Sequence, residues 1–420
     1  MPPRLDLSNL YDELARCNRC GFCQVACPIF RATGHEAGVA RGRLALLRAL
    51  VEGRLEWSSE LEEPLFTCLL CGACTANCFP ATATADLLTE ARRAYLDRVG
   101  RKPFHRLLFN RLLPYPERLR RAARAAAFGN RSGLTKAARA LGLLRIFGRD
   151  FPRAVEIADR LPARALRDTL PPSTLAGAGR SLRVAYFVGC GMDIMVPDAG
   201  RATVQALRAA AQSVTVLDNV CCGLPAETYG DRDAARRLAE RNLALLARDE
   251  FDTVVTDCSS CAAFLKKYPR LFPENDPRHE TARRVGSRVR DFVQWCGESE
   301  PPRRQATEPI VATWHDPCHA VRGQGLRAEP RRILQSLAGV EFRELPEADW
   351  CCGGAGSYAL AHYDLARKVL ERKIDNVERT SAGVVVTSCP ACIIHLRYGI
   401  RLRGLSIRVC HLSEILVGNT

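Results

Sequence analysis

The sequence predicts an α+β multidomain chain, with a helical N-terminal region followed by two duplicated α/β units on mainly parallel sheets. Three observations predict it. Two runs of four cysteines stand in tandem near the N-terminus. Five further cysteines recur in a second copy at offsets of 128, 130, 130, 131 and 131 residues, which marks an internal duplication. Within each copy, short β-branched runs alternate with helical patterns, the order of an α/β unit.

Residues 1–97 carry the tandem runs. "CNRCGFCQVACP" sets Cys17, Cys20, Cys23 and Cys27 at C-x2-C-x2-C-x3-C spacing, and "CLLCGACTANCFP" repeats it with Cys68, Cys71, Cys74 and Cys78. A cubane [4Fe-4S] cluster needs four thiolates at the corners of a tetrahedron. Three closely spaced thiolates cap one cluster, and the fourth, beyond a longer spacer, serves the other cluster of a pair. The spacing therefore predicts a two-cluster, ferredoxin-like domain. Cys17, Cys20, Cys23 and Cys78 are expected on one cubane, and Cys68, Cys71, Cys74 and Cys27 on the other. Zinc is the rival, but its sites pair two C-x2-C halves and have no use for a triple run. Phe79 departs from the pattern by standing between Cys78 and Pro80, which alters the turn and removes no ligand. The runs are separated by "RGRLALLRALVEGRL", whose apolar positions recur at helical spacing.

Residues 98–181 read as a basic helical segment and a linker. Between Arg98 and Arg149, fourteen Lys or Arg face one acidic residue, Glu117, nearly the whole formal net charge of +15. One basic segment on an otherwise near-neutral chain points to a local anionic partner. Helical patterning breaks at Pro114 and Pro116. Phe104, Leu107, Leu108, Phe109, Leu112 and Leu113 offer an apolar face for a surface of anionic lipids. Docking against an acidic partner surface is the other reading. No aromatic interleaving or known module accompanies the charge, which argues against nucleic acid. "LPPSTLAGAGRS", residues 170–181, reads as the linker.

The α/β units are expected at 182–300 and 301–420, with "GESEPPRRQATEP" as their joint. Cys190, Cys221, Cys222, Cys258 and Cys261 follow C-x30-CC-x35-C-x2-C. Cys318, Cys351, Cys352, Cys389 and Cys392 follow C-x32-CC-x36-C-x2-C. The runs VAYFV, TVVT, IVATW and GVVVT come just before cysteines, which puts the thiols at the carboxyl ends of strands, where open sheets form their ligand crevices. Adjacent cysteines such as Cys221 and Cys222 do not bridge easily, and five thiolates exceed what a cubane or a zinc ion takes. A polynuclear site with bridging thiolates fits all five; zinc with spectator thiols is the bland rival.

These paired "CCG" units resemble those of the cysteine-rich subunit of heterodisulfide reductase. The full order, a tandem ferredoxin region followed by two CCG units, resembles the iron–sulfur subunit of glycolate oxidase and the corresponding subunit of anaerobic glycerol-3-phosphate dehydrogenase. Eighteen cysteines over nearly the whole chain fall on the pattern. The resemblance implies two cubane clusters and one or two noncubane [4Fe-4S] clusters. One of the latter would sit on Cys190, Cys221, Cys222, Cys258 and Cys261, the other on Cys318, Cys351, Cys352, Cys389 and Cys392. It also implies FAD on a partner dehydrogenase subunit and a quinone or other electron acceptor. Lactate or glycerol 3-phosphate as the donor, disulfide reduction, and an adaptor role in an electron-bifurcating complex are the alternatives.

The remaining signals are weaker. At 420 residues, 47% hydrophobic and 25% charged, the chain reads as soluble and globular. Its start lacks a secretory pattern and no apolar run approaches a membrane span, so the expected location is cytoplasmic, peripheral on the inner face of the cell membrane. Cys296 and Cys410 fall outside the repeat and are expected in the core. His315 and His319 flank Cys318; they are read either as donors to cluster sulfur or proton carriers, or as ordinary packing and capping residues. Gly353, Gly354 and Gly356 do not form a nucleotide fingerprint, and close backbone approach to the cluster is their expected reason. With no flavin, nicotinamide or Ser–His–Asp signature, no catalytic residue is assigned, and substrate oxidation is expected on another chain.

Overall fold

The computed structural model describes residues 7–147, 150–158, 160–179, 181–248, 250–299 and 309–418. Arg149 and most of the expected joint between the units lie outside the described residues.

The N-terminal region is helical. Helices Ala40–Val51 and Thr84–Val99 bury Leu44, Leu47, Leu87 and Leu88 against each other. The buried Arg92 guanidinium donates to the carbonyls of Leu65 (2.9 Å) and Cys68 (2.7 Å) and to that of Thr228 (2.6 Å) in the first α/β unit. A buried guanidinium is stable only when its fork is satisfied, so this arginine fixes the second cysteine loop to the unit behind it.

The basic segment corrects one expectation. Phe109 and Leu113 are buried in the core of the first unit, and Arg241 donates to the Pro114 carbonyl. They are not available to a lipid surface. Pro116 opens the helix Pro116–Arg131, where a missing N–H is harmless. Of the six residues of the expected apolar face Leu107 stays exposed, and Tyr115, Phe128, Leu134, Leu141, Leu143 and Ile146 are exposed further along the segment.

The expected linker is also more ordered than its Pro/Gly/Ser composition suggests. Its residues Ser173–Ala176 form β1, which pairs antiparallel with β3 (Ser213–Val216) at one edge of the first sheet. The rest of that sheet, β2 (Arg183–Tyr186), β3, β4 (Thr253–Thr256) and β5 (Val289–Asp291), is parallel in the order β3-β2-β4-β5. The second unit repeats it with β6 (Ile310–Trp314), β7 (Val340–Arg343), β8 (Val384–Thr387) and β9 (Arg408–His411), parallel in the order β7-β6-β8-β9.

The two sheets share one apolar cluster that includes Tyr186 and Leu207 from the first unit and Trp314 and Leu412 from the second. Burying each such side chain contributes roughly 1.5–3 kcal/mol. Helix Pro197–Ala210 packs on Leu412–Leu416, where the Ser413 hydroxyl donates to the Ala199 carbonyl at 2.9 Å; helix Phe292–Glu298 packs reciprocally on Glu329–Ser336. The duplicated units therefore pack as a two-fold pair. That packing turns the carboxyl ends of both sheets toward each other. Cys296 and Cys410 are buried in the same cluster, apart from the thiol sets.

Candidate metal centres

The two N-terminal loops have the same backbone. Arg19 and Leu70, each one residue before the second cysteine of its run, have φ of 54° and 50°; Gly21 and Gly72, each one residue after it, have φ of 90° and 72°. Two left-handed residues around one cysteine curl the loop so that its thiols converge, and the glycine carries the larger deviation without strain. Short helices Phe22–Ala26 and Ala73–Ala76 then present Cys23 and Cys74.

One cavity is lined by Cys68, Cys71 and Cys74 together with Cys27 from the other run. A second is lined by Cys17, Cys20, Cys23 and Cys78, with Cys74 at its wall. The structure thus brings each fourth cysteine to the opposite loop. Burial pushes the Cys27 thiol up to about 11 and the Cys74 thiol up to about 12. Without a metal these side chains hold their protons, and binding one must release them.

In the α/β units every thiol of the two five-cysteine patterns finds its set. Cys190 lies 3.7 Å from Cys221, and thiol contacts continue through Cys222 and Cys261 to Cys258. In the second unit the matching order runs from Cys318 through Cys351 and Cys352 to Cys392 (3.3 Å from Cys352) and Cys389. All twenty cysteines are free. Each vicinal pair ends in a left-handed glycine, Gly223 (φ 97°) and Gly353 (φ 81°). A Cβ there would meet the Ala235 carbonyl oxygen at 3.1 Å or its repeat equivalent at Ala366 at 2.7 Å. Gly354 similarly faces the Ala391 carbonyl at 2.8 Å, while Gly356 has open space. Gly223, Gly353 and Gly354 thus allow a close approach to the protein's own helices.

Two contacts join the sets. Cys71 of the second N-terminal loop touches Cys351, and Cys389 touches Cys258 across the two-fold. The first junction is held by Tyr358, whose hydroxyl donates to the Thr67 carbonyl (2.9 Å), and by Arg322, which donates to the Cys71 carbonyl (3.3 Å). At the second, the Ser259 N–H donates to the Ser388 carbonyl at 3.0 Å and their hydroxyls meet at 2.8 Å. A continuous path of sulfur contacts runs from Cys71 to Cys190. Cysteine spacing carries no sign of either junction, because both join residues distant in the chain.

Other polar groups differ between the units. His395 Nδ1 meets the Cys352 carbonyl oxygen at 2.7 Å, a role the Tyr268 hydroxyl fills at the Cys222 carbonyl, also at 2.7 Å. Lys373, buried beside the second set, donates to the Glu347 and Ala348 carbonyls; burial lowers its ammonium to about 8, against the opposing pull of the Cys352 thiolate form. Its counterpart is Asn242, whose amide donates to the Cys221 carbonyl at 3.0 Å. His319 Nδ1 sits 3.1 Å from the Ser260 hydroxyl and 3.8 Å from Cys318. The donor sets suit iron–sulfur centres: soft thiolates only in the N-terminal cavities, and five converging thiols in each α/β unit.

Comparison with known proteins agrees with this geometry. Residues 13–80 match a 4Fe-4S dicluster domain, residues 100–154 the linker region of a glycolate oxidase iron–sulfur subunit, and residues 184–266 and 312–397 a cysteine-rich domain. The Bacillus subtilis protein named "Probable glycolate oxidase iron-sulfur subunit" is 31% identical over 96% of this chain and 94% of its own length. The Escherichia coli glycolate oxidase iron–sulfur subunit is 27% identical over 91% of this chain and 89% of its own. One subunit of the fumarate reductase (CoM/CoB) of Methanothermobacter marburgensis is 32% identical over 57% of this chain and 47% of its own. The basic segment, the tandem runs and both cysteine-rich units thus have counterparts in one family, and the chain belongs to it: the glycolate oxidase iron–sulfur subunits, electron-transfer subunits of an oxidoreductase.

Proposed function

We propose that this chain takes electrons from a flavin subunit that oxidises glycolate and carries them along four thiol sets in one fixed order. The order is Cys17/Cys20/Cys23/Cys78, then Cys68/Cys71/Cys74/Cys27, then the set of the second α/β unit, then that of the first. The observation that carries this reading is the pair of junctions, Cys71 with Cys351 and Cys389 with Cys258. Iron–sulfur centres held there would supply one-electron exchange: cubanes in the N-terminal cavities and noncubane [4Fe-4S] centres on the five-cysteine sets.

The two ends of the path favour different partners. At the entry end Cys20 is exposed, and Phe22, Val25 and Phe79 stand out around it, Phe79 with 89% of its surface in solvent. An apolar patch around an exposed redox site suits the flavin-bearing partner. At the exit end, Arg120 of the basic helix pairs with Asp193 at 3.6 Å, on the short helix that Cys190 begins. Exposed Leu141 and Ile146, with Arg145 and Lys136 between and before them, follow in the same segment. This supports a basic, apolar surface for a membrane beside the site that delivers electrons to a quinone. Among the described residues no helix is long and apolar enough to cross a membrane, so the attachment would be peripheral.

Iron and sulfide analysis of protein purified anaerobically with its partner tests the reading. About sixteen irons per chain are expected, four for each set, and glycolate should reduce them. A value of about eight with zinc present would reduce the α/β units to zinc modules and end the proposed path at the cubanes.

A further inference from the structure

The two five-cysteine sets differ most sharply at one position. Phe187 and His315 occupy the same place in the duplicated units. The Phe187 N–H donates to the Val255 carbonyl at 2.9 Å, and the His315 N–H donates to that of Val386, the repeat equivalent, at 3.0 Å. Phe187 packs as core. His315 is 1% exposed, and among the described residues neither ring nitrogen has a hydrogen-bond partner of good geometry apart from its contact with the Cys352 thiol. A ring nitrogen of His315 and the sulfurs of Cys352 and Cys392 all lie within 4.8 Å of one another.

A buried imidazole whose one polar neighbour is a thiol is unfavourable, because it has given up water for a weak partner. The duplication shows that the place accepts a phenyl ring, so packing alone does not require histidine. The other histidines of the second set have protein partners: His395 meets the Cys352 carbonyl and His319 the Ser260 hydroxyl. Among these three, His315 is the one whose ring has no oxygen partner and meets only thiols. Imidazole is a ligand for iron, and in iron–sulfur proteins it can replace thiolate on an individual iron.

We propose that His315 is a nitrogen ligand of the iron–sulfur centre in the second α/β unit, which makes that site five thiolates and one imidazole while the first is thiolate alone. The inference rests on the reading that the second set holds iron. It makes the duplicated centres chemically distinct, with the nitrogen-ligated one in the middle of the path between Cys71 and Cys258.

Pulsed electron paramagnetic resonance on the anaerobically purified complex tests this. The second set's signal is identified by its loss in Cys352→Ser. In the unaltered chain it should carry the coupling of a directly bound 14N, which changes to that of 15N when histidine is labelled. His315→Phe, which installs the first unit's residue, should abolish that coupling and leave the first set's signal intact. If that variant does not fold, the labelled native chain still decides the question. A second set that holds iron but lacks the nitrogen coupling, or a coupling that survives in His315→Phe, overturns the inference alone. Absence of iron from the second set overturns both it and the reading beneath it.

Discussion

The two α/β units share strand order, the vicinal cysteines and the left-handed glycine, yet they line their thiols differently. Around the first set stand Phe187, Asn242 and Phe264; the matching places around the second hold His315, Lys373 and His395. The first set lies at the end of the sulfur path and the second lies between two others. Duplication preserved the geometry that gathers five thiols and let the surroundings diverge with position. The set in the middle of the path has a cation buried beside it, which favours extra negative charge there. The set at the end has a neutral amide in that place, and a neutral surrounding yields an electron to an acceptor more readily.

The sharpest way to break this comparison is to remove the end set. Cys222→Ser with Cys261→Ser should abolish electron delivery to a quinone analogue. The cubane and second-unit sets should still be reduced by glycolate through the flavin partner. Delivery that persists in a spectrophotometric quinone assay would show that the acceptor meets the second unit instead.

A smaller effect should come from charge. Lys373→Met removes the buried cation while keeping its volume, so redox titration should find the second set harder to reduce and the first unchanged. Asn242→Ala probes the counterpart. It strips partners from the Val220 N–H and the Cys221 carbonyl, which should destabilise the protein by about 1–3 kcal/mol in chemical denaturation. Equal shifts of both sets in Lys373→Met would erase the proposed asymmetry.

The metal-free protein offers a pH test. Burial raises Cys27 from 9.0 to about 11 and Cys74 from 9.0 to about 12. A group whose folded value is raised stabilises the fold fully below its unfolded value and loses that contribution as pH climbs through the folded one. Thermal melts of the apoprotein should therefore hold steady to about pH 9 and fall between pH 9 and 12. The iron-loaded protein, whose thiols are already deprotonated, should not show that fall.

The smallest expected effect concerns the basic segment. Arg120 is occupied by Asp168 and Asp193, and Arg118 stacks over the Tyr115 ring, so neither is a clean probe of lipid binding. Leu141→Ser with Ile146→Ser and Lys136→Ser alters exposed side chains alone. Sedimentation with anionic vesicles at low salt should weaken several-fold, with iron content unchanged; the attraction is worth about 1 kcal/mol per nearby basic residue. Full sedimentation of the variant would assign the segment to a protein interface.

Much of this was legible in the sequence because cysteine spacing is strict. The tandem runs, the repeat near 130 residues and the strands before the cysteines all appear in the fold. The rest depended on tertiary contact. Ser173–Ala176 forms an edge strand despite its turn-rich composition because β3 offers it a partner. Phe109 and Leu113 have the spacing of a surface stripe, but the first unit covers them. His315 and His319 look alike beside Cys318, and only the fold separates the ring that meets the Ser260 hydroxyl from the one that meets only thiols.

The central claim is the fixed order of the path, and one measurement meets it directly. In Cys352→Ser with Cys392→Ser, the first set keeps all five of its thiols and should load iron normally. When glycolate and the flavin partner are added, rapid-freeze paramagnetic resonance should find the cubanes reduced and the first set still oxidised, because its contact with them runs through Cys389 and Cys351. Reduction of the first set at the native rate would contradict the order and show that electrons reach it by another route.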